Sequence, residues 1–310
     1  MIINRYERQK GRSLVEVMIA LTIGLVLLIG IASVFISNKQ TFKTTDDKGR
    51  LEEEGRLALN LLAFHLRMAG YGELTSAVYV NPNNTNLQSG ANAIAQMNGL
   101  EGCSGGFANA AASTVARSCA TSPPSTAADA IIVRYVVDQN NANQSAGAPT
   151  DCLGAAIIRV PAVVENRFFI ANNATTGLPE LHCQGSGQTA AAAATFTSLA
   201  QPIAENIIDM KISYGYGYDY VNQRDTQSVD SFISASQVDA MTPPTVGTPW
   251  SKVVSVKICF VARSANDRIT TAPQLYIDCG GTTKTATDRR LYQTFSTVVA
   301  IRRSAAGSLN

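Results

Sequence analysis

Twenty consecutive residues without a charge, from Val17 to Ile36, constrain this chain more than any other feature. As a helix rising about 1.5 Å per residue they reach about 30 Å, the hydrocarbon thickness of a bilayer. A secretory signal has a shorter apolar region that ends in a small-residue cleavage site. Here the run continues into a second helical pattern, so it reads as an anchor. No proline lies between Gly11 and Gly70, and nothing obligatory breaks a helix over that interval. Beyond Ile36 the pattern turns amphipathic. Leu51, Ala58, Leu62, His65 or Leu66, and Ala69 recur at helical spacing, and Leu57, Leu61, Phe64 and Met68 form a second row. Such a wide apolar face is expected to pack on a globular domain, with Glu52–Glu54 on the solvated side. Gly70, followed by Gly72, is the expected stop.

The segment before the apolar run is polar, MIINRYERQKG. Lys and Arg do not fix its side of the membrane: four lie in residues 1–12 and four in residues 37–50. The anomaly is Glu16, a carboxylate at the edge of the apolar tract, where an unpaired charge is costly. Lys10-Gly11-Arg12-Ser13-Leu14-Val15-Glu16 and the apolar run after it resemble the type III signal of type IV pilins and type II secretion pseudopilins. The resemblance implies cleavage by prepilin peptidase between Gly11 and Arg12, and N-methylation of Arg12, where the family usually carries Phe. It also implies an assembly role for Glu16. The expected segments are a cleaved leader (1–11), a transmembrane and assembly helix (12–36), an amphipathic second half (37–70) and a globular head (71–310).

Residues 71–128 are rich in Asn, Ala, Gly and Ser and read as long loop. Strand-like runs follow at Ala130–Val137, Ala155–Val164, Arg167–Ala171, Ile207–Tyr214, Val253–Ala262, Gln274–Ile277 and Leu291–Ile301. Residues 139–149 and 185–195 are low-complexity and read as solvated loops. Strands after one long helix, with no βαβ alternation, indicate an α+β, pilin-like fold: the helix packed on a mainly antiparallel sheet.

The six cysteines occur singly, with no C-x-x-C, which suits disulfides in an oxidising compartment better than metal or thiol chemistry. Among the 15 possible pairings, the sequential scheme closes each loop locally: Cys103–Cys119, Cys152–Cys183 and Cys259–Cys279. The second pair is expected to bracket the second and third strands. Lys+Arg number 25 against 23 Asp+Glu, so there is no basic excess for direct nucleic-acid binding. His65 and His182 are the only histidines, which speaks against most triad and metal sites. The chain has no P-loop, H-E-x-x-H or G-x-S-x-G motif, so neither enzymatic activity nor a metal or cofactor is expected. Asp219, Asn222, Asp225 and Asp230 lack calcium-loop spacing. Tyr214, Tyr216, Tyr218 and Tyr220 alternate at period two, so they form one strand face, for the core or for a protein partner.

A second resemblance spans most of the chain. Leu57-Ala58-Leu59-Asn60-Leu61-Leu62 leading to Leu66-Arg67-Met68-Ala69-Gly70-Tyr71 is similar to the helix end of PilW-type minor pilins. So are residues 204–215, residues 250–257 with Arg263-Ser264, and Arg289-Arg290-Leu291-Tyr292 through Val298-Val299-Ala300-Ile301-Arg302. It implies a minor pilin of the type IV pilus near the tip, supporting twitching motility, adhesion or DNA uptake. The implied partners are prepilin peptidase, other minor pilins, the major pilin and a large tip adhesin. The implied location is the inner membrane, with a periplasmic head before assembly, and the pilus after it. A J-type pseudopilin of type II secretion is the near alternative, and a membrane-anchored extracytoplasmic hydrolase the distant one.

Overall fold

The computed structural model describes residue 11 and residues 13–71, 98–109, 118–124, 126–137, 144–145, 148–157, 162–187, 199–219, 224–226, 228–242 and 248–301. Its first helix, α1, spans Leu14–Met68. Two units share it: residues 1–47 form one, residues 48–310 the other.

In the second unit the strands, in chain order, are β1 (Leu100–Cys103), β2 (Ala130–Val137), β3 (Gln144–Ser145), β4 (Ala148–Pro149), β5 (Ala162–Asn172), β6 (Pro179–Gly185), β7 (Gln201–Glu205) and β8 (Ile207–Tyr216). There follow β9 (Tyr218–Asp219), β10 (Arg224–Asp225), β11 (Ser231–Ile233), the short helix α2 (Ala235–Ala240), a 3₁₀ turn at Pro249–Lys252, β12 (Val253–Arg263), β13 (Leu275–Ile277), β14 (Thr283–Thr285) and β15 (Tyr292–Ala300). Two sheets carry the architecture. One has the order β1-β2-β5-β6-β7 and the other β11-β8-β12-β15; every pairing in them is antiparallel. The chain crosses from the first sheet to the second at Asn206, whose φ of 56° is a left-handed value that Asn tolerates better than most residues.

The core forms where α1 lies on both sheets. Leu51, Gly55, Ala58, Leu62, His65 and Ala69 recur at alternating spacings of four and three, so they share one helix face, and all are buried. Leu62 and Leu66 are fully buried, each worth about 1.5–3 kcal/mol relative to exposure. Against them pack Ile131, Val133 and Tyr135 of β2, Phe168 of β5, Ile212 of β8 and Ile258 of β12. Gly55 is required by its neighbour: a Cβ there would overlap the Phe295 ring. The helix stops at Gly70, which has a φ of 70° and donates its N–H to the Arg134 carbonyl at 2.8 Å, while the Val136 N–H reaches the Tyr71 carbonyl at 2.9 Å.

Four expectations need correction. The second helix row is no core stripe: Leu57 is 46% exposed, and Leu61, Phe64 and Met68 are half-buried flanks. Glu54 is not simply solvated, since its carboxylate accepts the Glu205 N–H at 3.2 Å. Ala155–Val164 and Arg167–Ala171 are not two strands. β5 runs unbroken from Ala162 to Asn172, because Glu165 and Arg167, which look like a strand break, pair with each other. Cys152 and Cys183 therefore bracket one strand, β5. The structure also adds strands that the sequence pattern did not show, among them β6, whose polar Glu180, His182 and Gln184 hide its buried character. The tyrosine alternation resolves to core: Tyr214, Tyr216 and Tyr218 are buried, and Tyr220 and Asn222 lie outside the described residues.

Candidate assembly site

Among the described residues, the first unit carries a continuous run of exposed apolar side chains. Its side chains from Leu14 to Ile36 stand open, from 44% exposed at Val17 to 76% at Leu14. This is a helix long and apolar enough to cross a membrane. Gly11 sits in coil before it, and among the described residues nothing lies near the position a Cβ would take. Arg12 and residues 1–10 lie outside the described residues. The helical ladder opens with the Val17 N–H on the Ser13 carbonyl at 3.2 Å. Glu16 is exposed in the first turn, where the helix dipole favours a negative charge. Ser13 and Glu16 also have capping-box spacing, a signal the sequence carries in plain view.

Several buried charged and polar groups of the head pair with one another. His65 Nδ1 lies 3.0 Å from the Tyr135 hydroxyl and 3.2 Å from Asn166 Nδ2. Asn166 Oδ1 accepts the Cys152 N–H at 3.0 Å, which fixes the amide orientation and makes Nδ2 the donor. His65 Nδ1 is therefore an acceptor, and the imidazole is neutral with its proton on Nε2. Burial alone lowers its pKa to about 4. On the other face of the first sheet, Arg134 and Glu165 stand directly opposite in register and pair at 2.6 Å. Glu165 also pairs with Arg167, and Arg134 with Glu101 at 3.0 Å. Burial pushes the Glu165 carboxyl up, but the two arginines outweigh it and hold the group below its usual range. Sequence reasoning passed over this network, although Arg134 interrupting the apolar run AIIVRYVV was its signal.

Three disulfides tie the loops down: Cys103–Cys119, Cys152–Cys183 and Cys259–Cys279. Asp151 braces the second, accepting the N–H groups of Leu153, Ala155 and Gly187. The third joins central strand β12 to the turn of the β13–β14 hairpin. Beneath that hairpin, Tyr276 stacks on Tyr292 at 4.7 Å between centroids. Tyr214 meets Trp250 edge-on at 4.8 Å, and Trp250 Nε1 donates to Asp239 at 2.7 Å, anchoring α2. His182 lies 3.4 Å from Glu180 and stacks on Phe169. Among the described residues no group of His, Cys, Asp and Glu has the arrangement of a metal site.

Residues 167–303 match the family model for Type IV Pilus-assembly protein W. Residues 7–32 match the prokaryotic N-terminal methylation motif. No curated protein matches the chain. Among solved structures it is similar to a type IV-like pilin from Thermus thermophilus, at 12% identity and a TM-score of 0.36, covering 81% of this chain and 96% of that one. The family matches point to a structural, non-enzymatic protein.

Proposed function

We propose that this chain, a minor pilin of the PilW type by its family matches, is a subunit of the type IV pilus tip. Prepilin peptidase cuts between Gly11 and Arg12, and Arg12 is then methylated. The helix holds the protein in the inner membrane with its head on the periplasmic side, until other minor pilins and the major pilin take it into the fibre. There it helps prime assembly beside a large tip adhesin, in support of twitching, adhesion or DNA uptake. The observation that carries this reading is the first unit's helix: large apolar side chains exposed from Leu14 to Ile36, one carboxylate in its first turn, and Gly11 in coil before it. A match to the pilus-assembly family favours a pilus over a secretion pseudopilus.

Glu16 gives the test. Cleavage creates an α-amine on Arg12, four residues from Glu16 and so one helical turn away. Among packed apolar helices an unpaired carboxylate is destabilising, and this amine, or that of an adjoining subunit, neutralises it. Glu16→Ala should be cleaved normally and keep a stable head, yet be nearly absent from sheared pili. Wild-type incorporation would refute the role.

A further inference from the structure

Of the three disulfides, one stands in the core that α1 shares with the two sheets. Cys183 is fully buried there, opposite Phe168 in the β5–β6 register, and Cys152 packs against the same cluster as Leu62 and Leu66 of the helix. The other two bridges keep different company. Cys103 and Cys119 pack with Phe107 and Phe169 in a separate cluster, and Cys279 packs beside Tyr276 and Tyr292 in a third.

From the Cys152–Cys183 bridge a chain of buried hydrogen bonds runs to the helix. The Cys152 N–H donates to Asn166 Oδ1 at 3.0 Å. Nδ2 of the same amide donates to His65 Nδ1 and to the Tyr135 hydroxyl, each at 3.2 Å. Tyr135 completes the triangle by donating to His65 Nδ1 at 3.0 Å. Phe64 and Phe168 flank the imidazole; Tyr135 is the titratable group facing it, and Asp151 is the charged group acting on Tyr135. The two ends of an amide are alike in size, so Asn166 fits its site in either orientation. Reversed, it would set a carbonyl against His65 Nδ1, and the imidazole would need its proton there instead of on Nε2. The Cys152 N–H selects the observed state. Two ties keep that N–H beside β5: the Cys152 sulfur on Cys183, and the Asp151 carboxylate on the Gly187 N–H at 2.7 Å.

We infer that the Cys152–Cys183 bridge is a redox latch on α1: closed, it fixes the Asn166 amide, and the amide holds the last turns of the helix on the head. Closing it takes two electrons and two protons from the two thiols; a disulfide compound accepts them by exchange and leaves as two thiols. With the bridge open, Cys152 is released from β6, the amide turns over, and His65 loses its fixed donor. Buried polar groups without partners are costly, so the helix end loosens. The latch lies outside the pilus role and does not depend on it.

His65 and His182 are the only histidines, so the full chain labelled with ¹⁵N-histidine shows two imidazoles. In detergent at pH 7, His65 of the wild type should be a single Nε2–H tautomer. In Cys152→Ala/Cys183→Ala it should mix the two tautomers, and amides of residues 58–69 should exchange with solvent roughly tenfold faster. Cys103→Ala/Cys119→Ala should leave the tautomer and the exchange of residues 58–69 as in wild type. A wild-type His65 and helix end without the 152–183 bridge would overturn the latch; so would equal effects in the two paired variants, which would mean general loosening. Asn166→Asp decides the matter if the first pair does not fold. It keeps all three bridges and an acceptor for Cys152, but turns an oxygen toward His65, which should then carry a proton on Nδ1. A His65 that keeps Nδ1 bare in Asn166→Asp would overturn the relay and the latch with it.

Discussion

Replacing His65 with glutamine should remove the part of the head's acid sensitivity that this histidine carries. His65 is 3% exposed, with Nδ1 accepting from Tyr135 and Asn166, so protonation in the folded state loses hydrogen bonds and buries a charge. Its pKa falls from 6.5 to about 4 on folding. The unfolded chain therefore binds the proton more readily, and acid favours unfolding. The sign follows: the histidine costs nothing above pH 6.5, and stability falls as pH drops from there toward 4. At about 1.4 kcal/mol per unit, the loss reaches about 2 kcal/mol at pH 5 and about 3 kcal/mol below pH 4. That is a large share of a typical domain's 5–15 kcal/mol. Glutamine keeps an acceptor and a donor of similar reach but does not titrate. The assay is denaturant unfolding of the detergent-solubilised full chain at pH 7.5 and pH 5, followed by the fluorescence of Trp250. Wild type should lose about 2 kcal/mol more than His65→Gln between the two pH values. Equal losses would refute the buried-acceptor account of His65, because every other titrating group is common to both proteins.

Three further outcomes are expected. Gly11→Leu should leave full-length precursor in the membrane fraction on an immunoblot, since a side chain blocks close backbone approach by the peptidase; mature-length protein would contradict the proposed cleavage site. Gly55→Leu should lower the unfolding free energy of the head by about 1–3 kcal/mol, because the added side chain meets the Phe295 ring; an unchanged denaturation midpoint would show that the helix does not rest on that ring. Thiol labelling of the unreduced, denatured chain should find neither Cys259 nor Cys279, and replacing both with serine should cost about 2–4 kcal/mol; labelling of either would overturn that bridge.

The sequence by itself determined the anchor helix and the class of the head. Twenty uncharged residues without proline have one way to satisfy their backbone in an apolar setting, so Val17–Ile36 could be read directly as helix. β2, β8, β12 and β15 were legible for a related reason: long runs of Val and Ile between turn residues have little else to become. Where polar residues sit inside, pattern reading failed. Glu165 and Arg167 looked like an interruption, and Glu180, His182 and Gln184 like surface. Their burial depends on partners from other strands, such as Arg134 across the ladder, and composition along one segment does not reveal those. Only the tertiary structure decided that the tyrosine alternation faces inward, where α2 and Trp250 cover it, and that the helix stripe is narrow enough to leave Leu57 exposed. It alone showed His65 as a neutral acceptor, because Tyr135 and Asn166 lie 70 and 101 residues further along the chain. The same holds for the place of β15 at the end of its sheet. A strand's sequence shows that it can pair on both sides, but only the order of strands in the sheet shows which side is left open.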